Sequence, residues 1–138
     1  MDNSTIDYPQ PTRSATNAPL LDAWQRGELM VQHCDDCAAR VFFPREMCPV
    51  CWSTRLSWRR SNGTGRIVAF ARVHRHIHAA FASDAPTIFA ELALDDGIGM
   101  LARVIIPDPD AVRSGMRVEL LPLPDAARYP LPTFRPVK

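Results

Sequence analysis

The rhythm of hydrophobic and polar positions changes near Leu29. Before it, Leu20, Leu21 and Trp24 fall close to helical spacing, with Asn17 placed to cap, Pro19 to open and Gly27 to stop a short helix. Residues 18–30 are therefore expected to form an N-terminal helical segment whose apolar stripe packs on the rest of the molecule. After Leu29 the texture becomes short β-type runs separated by turn residues. Strands are predicted over residues 66–74, 87–94, 100–106 and 116–121, which makes four or five in all. Their punctuation is Asn62-Gly63-Thr64-Gly65, Asp95-Asp96-Gly97, Pro107-Asp108-Pro109-Asp110 and Ser114-Gly115. The Asp-Gly pair implies a hairpin, and residues 110–113 suit a single helical turn between hairpins.

The two ends follow neither rhythm. Residues 1–17 offer only Ile6 and Tyr8 as large aliphatic or aromatic side chains and read as a mobile leader. Residues 123–138 read as an extended arm, because Pro122, Pro124, Pro130, Pro132 and Pro136 together forbid helix or central strand. Tyr129, Leu131 and Phe134 between those prolines, with Trp24 of the helix, are expected to be apolar anchors for a partner.

A length of 138 residues limits the chain to one domain or two very small ones, and 46% hydrophobic content makes it a folding chain. Sixteen Lys+Arg against fifteen Asp+Glu give a net charge of +1, which disfavours a dedicated nucleic-acid binder. No apolar run is long enough for a membrane span, and the N-terminus lacks a secretory pattern, so a soluble cytoplasmic protein is expected. Cytoplasmic thiols stay reduced, which turns attention from disulfides to metal ligation.

All four cysteines fall in two identical units, Cys34-x2-Cys37 and Cys48-x2-Cys51, ten residues apart. Two facing CxxC turns present four thiolates to a tetrahedral ion, so Cys34, Cys37, Cys48 and Cys51 are expected to hold a structural Zn²⁺ in a ribbon spanning residues 31–59. An iron site uses the same ligands, and a redox dithiol would use one CxxC. A catalytic zinc would need an open position, and His33 should point away from the metal beside Cys34. Four thiolates and one Zn²⁺ sum to −2, which takes the chain from +1 to −1, with Arg40 and Arg45 between the knuckles to offset it locally.

From Trp52 to Ser83 there is no acidic residue, while Arg55, Arg59, Arg60, Arg66, Arg72 and Arg75 all lie there. Such a stretch can meet an anion, or its arginines can be solvated and paired with acids from other strands. Within it His74-x-His76-x-His78 alternates at strand period, so all three would share one face as a polar wall or a second metal site. No Ser-His-Asp arrangement and no phosphate-binding glycine motif appears.

The short helix, the CxxC-x10-CxxC ribbon enclosing Phe42-Phe43-Pro44-Arg45 and the Gly63-Thr64-Gly65-Arg66-Ile67 opening of a barrel together resemble the DUF35 family of zinc-ribbon, OB-fold proteins associated with acyl-CoA metabolism. Leu92-Ala93-Leu94-Asp95-Asp96-Gly97, Ser114-Gly115-Met116-Arg117-Val118 and the closing Tyr129-Pro130-Leu131-Pro132-Thr133-Phe134 extend the resemblance over about residues 18–138. It implies a mainly β fold: a short N-terminal helix, a rubredoxin-like zinc ribbon and a five-stranded OB-fold barrel over residues 60–122. It also implies a non-catalytic accessory subunit. Its partner would be a thiolase-fold enzyme, such as a thiolase, synthase, aldolase or acyltransferase, or for some relatives a hotdog-fold hydratase, with a CoA thioester shared between the subunits. Arg66, Arg72, His74, Arg75 and His76 are then candidates for the CoA phosphates. The alternative function is a single-stranded nucleic-acid binder, since OB barrels use basic grooves with stacking aromatics.

Overall fold

The computed structural model describes residues 8–75, 79–84 and 86–137. Helix α1 (Ala18–Gln25) has Pro19 in its first turn, but Asn17 does not cap it through its side chain. That side chain instead accepts the Ser14 N–H at 2.8 Å and donates to the Thr12 carbonyl at 2.9 Å, tying down the preceding turn. The helix stops at Gln25, well short of residue 30, because Gly27 takes a φ of +76°. There the Gly27 N–H bonds the Trp24 carbonyl and the Glu28 N–H the Ala23 carbonyl, a reversal that satisfies the last carbonyls and needs a glycine.

Strands β1 (Met30–Cys34), β2 (Arg40–Val41) and β3 (Leu56–Arg60) form an antiparallel sheet in the order β2-β1-β3. Gln32 of β1 is buried and spends its whole amide on Arg45, donating to its carbonyl at 2.8 Å and accepting its N–H at 2.7 Å. The segment between the two knuckles is thereby strapped to the sheet.

The remaining strands, β4 (Thr64–Val73), β5 (Thr87–Leu94), β6 (Gly99–Val104), β7 (Arg117–Leu120) and β8 (Thr133–Pro136), close a barrel in the order β4-β5-β6-β8-β7. The Asp95-Asp96-Gly97 turn joins β5 and β6 as a hairpin, and Asp108 caps the 3₁₀ turn Pro109–Ala111 that leads towards β7. Gly65 lies where β4 and β5 nearly touch, and a Cβ there would stand 2.5 Å from the Ala93 carbonyl oxygen.

The tail departs most from expectation. The barrel does not end at residue 122, because its fifth strand comes from the proline-rich arm. β8 runs antiparallel to β7 and parallel to β6, with Phe134 opposite both Leu120 and Val104. The prolines allow this because Pro132 precedes the strand and Pro136 ends it, leaving Thr133, Phe134 and Arg135 with their amide hydrogens. Phe134 is fully buried in the barrel core, so it is unavailable as a docking anchor. Trp24 is also buried, packed on Leu121 and Ala126, with its indole N–H donated to the Tyr129 carbonyl at 2.8 Å. The helix thus clamps the tail of its own chain.

The leader is held too. Residues 1–7 lie outside the described residues, but Tyr8 is buried between Phe81 and Tyr129 and donates its hydroxyl to Asp84. The main apolar cluster joins helix, ribbon sheet and barrel, with Leu20 of α1, Leu29 and Val31 meeting Ile67, Leu92, Val118 and Phe134 of the barrel, while the knuckles keep a smaller cluster of their own around Cys34, Val41 and Cys48. Among the described residues no helix is long and apolar enough to cross a membrane.

Candidate metal centre

The two knuckles are built alike. In the first, the Ala38 N–H bonds the Cys34 carbonyl and the Cys34 N–H the Ala39 carbonyl; in the second, Trp52 and Ser53 do the same for Cys48, all at 2.8–2.9 Å. Ala38 and Trp52, each following the second cysteine of its pair, both take positive φ values, 64° and 67°. This tight reversal turns both sulfurs of a pair to one side. Cys34 and Cys48 are buried, whereas Cys37 and Cys51 are exposed.

The four Sγ atoms all lie within 4.8 Å of one another. Cys34 and Cys51 are 3.5 Å apart and Cys37 and Cys48 3.6 Å. A tetrahedron with metal–sulfur bonds of about 2.3 Å has edges of about 3.8 Å, so this spacing suits a four-thiolate ion, and it is far too long for the ~2.05 Å of a disulfide. Backbone N–H groups prepare the site. Those of Cys51 and Val50 hold the Cys48 thiol down at about 7, and those of Cys37 and Asp36 lower Cys34. The Ala39 N–H pulls Cys37 the same way, but desolvation and the neighbouring sulfurs outweigh it and push that thiol up to about 12. A cation is what lets all four ionise together. Such a closed four-sulfur set leaves no position for substrate and suits structural zinc.

His33 takes no part in this cluster. Its Nδ1 is buried, 3.5 Å from Asp35 Oδ1. Arg55 reaches Asp36 at 3.1 Å and so belongs to the ribbon surface.

Among the described candidate phosphate-binding residues, Arg66 and Arg72 stand apart. Arg66 is exposed near the start of β4 and Arg72 near its end, six residues or about 20 Å of strand apart. Arg72 is engaged locally: its Nε donates to the Pro109 carbonyl at 3.0 Å, and its guanidinium lies 5.3 Å from the Phe70 ring. His74 and Arg75 are exposed beyond the strand. His76 and His78 lie outside the described residues. Of the remaining docking candidates Tyr129 is half-buried and Leu131 exposed.

Sequence reading missed a second centre. Arg103, with its side chain 10% exposed, meets Asp84 at 3.3 Å and lies 5.3–5.9 Å from the rings of Tyr8, Phe81, Phe89 and Tyr129. Arg128 reaches the other oxygen of Asp84 at 3.2 Å. The readable signal was strand parity: Phe89 and Leu101 occupy outward positions of β5 and β6, where an alternating strand ordinarily carries polar residues.

The family model described as the ChsH2 rubredoxin-like zinc ribbon domain matches residues 21–57, and that described as the ChsH2 C-terminal OB-fold domain matches residues 58–121. The DUF35 domain-containing scaffold protein of Methanothermobacter thermautotrophicus is 30% identical over 99 residues, covering 70% of this chain and 73% of the relative. This chain belongs to the DUF35 family. A DUF35 scaffold protein of Methanocaldococcus jannaschii is 29% identical over 87 residues, and the match spans 62% of this DUF35 chain and 61% of that relative's length. Among solved structures, a chain of the Ltp2-ChsH2(DUF35) aldolase superposes with a TM-score of 0.76 at 28% identity, covering 92% of this chain and 98% of that one. A DUF35 protein of unknown function from Sulfolobus solfataricus, 11% identical with a TM-score of 0.62, shares the fold over 89% of this chain and 86% of its own. Ribbon, barrel and four-sulfur cluster thus form the zinc-ribbon and OB-fold pair of DUF35.

Proposed function

We propose that this DUF35 chain is a non-catalytic accessory subunit that docks on a thiolase-fold acyl-CoA enzyme and helps shape its CoA and acyl tunnel. The observation that carries the reading is the near end-to-end likeness to the DUF35 chain of an aldolase complex. The scaffold names of the archaeal relatives support it. So does the chemistry: all four cysteines belong to the metal cluster, which leaves no thiol as a nucleophile for acyl transfer.

In this reading zinc keeps the ribbon rigid, and a cytoplasmic partner supplies the reacting groups. Apolar side chains left in solvent at the second knuckle, Met47, Val50 and Trp52, together with Leu131 of the tail, serve as docking anchors. Arg75 and His74, both exposed, are candidates to meet CoA phosphates. A hotdog-fold hydratase is the other partner class the resemblance allows.

Co-expression with the thiolase-like product of a neighbouring gene tests the reading. A stable complex is expected, with acyl-CoA turnover in the complex and none by this chain alone. Turnover by the isolated chain, or failure of every thiolase-fold candidate to co-purify, overturns it.

A further inference from the structure

The four-sulfur cluster is half covered and half open. Cys34 and Cys48, the first cysteine of each knuckle, are buried, while Cys37 and Cys51, the second of each, are exposed. Beside each exposed sulfur stands a buried sulfur of the opposite knuckle: Cys51 lies 3.5 Å from Cys34, and Cys37 lies 3.6 Å from Cys48. A thiolate within reach of solvent is the species that small oxidants attack, and a second thiolate next to it resolves the product to a disulfide. The chain has no cysteine outside this cluster, so any thiol oxidation falls here.

Contacts independent of the ion hold the knuckles face to face. Asp35 and Asp36 lie inside the first knuckle, and residues 53–57 follow closely on the second. The Asp35 N–H donates to the Arg55 carbonyl at 2.9 Å, and the Asp35 carboxylate accepts the Ser57 hydroxyl at 2.9 Å. The Asp36 carboxylate accepts the Ser53 hydroxyl and pairs with Arg55 at 3.1 Å. These four ties keep each exposed sulfur opposite its buried neighbour as the ion leaves. Closing either pair to a disulfide then takes a movement of about 1.5 Å.

We infer that Cys37 and Cys51 are sites of reversible oxidation by peroxides, and that the products are the two cross-knuckle disulfides, Cys37–Cys48 and Cys34–Cys51. The Cys37 thiolate takes one oxygen from hydrogen peroxide, breaking the O–O bond, and becomes a sulfenic acid as hydroxide leaves. The Cys48 thiolate attacks that sulfur, forms the S–S bond and expels a second hydroxide. Cys51 and Cys34 react in the same way. Two peroxides thus accept four electrons from four thiolates, and the ion, left without ligands, is released. The bonded partners stand 11 and 17 positions apart in the chain, so the disulfides staple the ribbon where the ion had held it. The inference concerns this chain by itself and holds whichever enzyme it serves.

The test titrates the zinc-loaded full chain with hydrogen peroxide. Released zinc is read with 4-(2-pyridylazo)resorcinol, and cysteine pairing by mass spectrometry after alkylation and digestion. One zinc should appear for every two peroxides consumed by thiols, dimedone should trap sulfenic acid at Cys37 and Cys51, and the mapped disulfides should be the cross-knuckle pairs. The oxidised chain should melt about 10 °C or more above the reduced chain stripped of zinc, and dithiothreitol with added zinc should restore the starting melting temperature. Zinc retained while the exposed Met47 turns to sulfoxide, dimedone adducts at Cys34 and Cys48 instead, in-knuckle disulfides Cys34–Cys37 and Cys48–Cys51, or a product that dithiothreitol does not reverse overturns the inference.

Discussion

Replacing Phe134 by alanine removes a fully buried ring from the strand that closes the barrel between β6 and β7. The cavity and the lost transfer energy cost about 3–5 kcal/mol, about a fifth or more of the stability of an ordinary domain. For a chain of this length that is a fall in melting temperature of about 10–20 °C. Leu131→Ala, three residues earlier and 42% exposed, is the matched control and should cost under about 0.5 kcal/mol. Both are read by circular dichroism on zinc-loaded protein, with partner affinity measured at a temperature where each variant is folded. A fall of less than about 3 °C for Phe134→Ala would refute the argument that the proline-rich tail is structural. Deleting residues 126–138 should unfold the barrel outright; an unchanged melting temperature with partner binding lost would return the tail to the role of a docking arm.

Elemental analysis should find one zinc per chain, and Cys48→Ala should lose the metal together with the ribbon's ordered structure; stoichiometric iron would refute the zinc assignment. Asp95 receives two hydrogen bonds from Arg117 and one from Thr64, which hold its carboxyl at about 2, below the ordinary 3.8. A depressed value means a contribution present above pH 4 and lost as pH falls towards 2, so the melting-temperature gap between the parent and Asp95→Asn should narrow across that window. A gap constant from pH 6 to pH 2 would show that the pair adds nothing.

What was legible in the sequence was whatever is local to it. The metal ligands sit in two short turns, so spacing alone assembled them. Strands β4 to β7 announced themselves by alternation between turn residues, and Gly27 ended the helix for a reason visible in its own chemistry. The fifth strand was hidden because proline was read as excluding a ladder, when only the residues between Pro132 and Pro136 needed their amide hydrogens. Trp24 and Phe134 looked like exposed anchors because their burial depends on residues far away in the chain, Tyr129 about a hundred positions from the first and Val104 about thirty from the second. The assembly around Arg103 was hidden for the same reason, since Tyr8, Phe81, Phe89 and Tyr129 come together only in the folded chain.

Because Leu29 and Val31 enter the same cluster as the barrel strands, the ribbon sheet and the barrel share a core, and loosening one exposes apolar surface of the other. Whatever free energy the ion contributes on binding is therefore shared by strands that never approach it, and by mass action the stability of the whole chain follows the free zinc around it. A cell short of zinc would lose more than a ribbon: it would weaken the barrel as well.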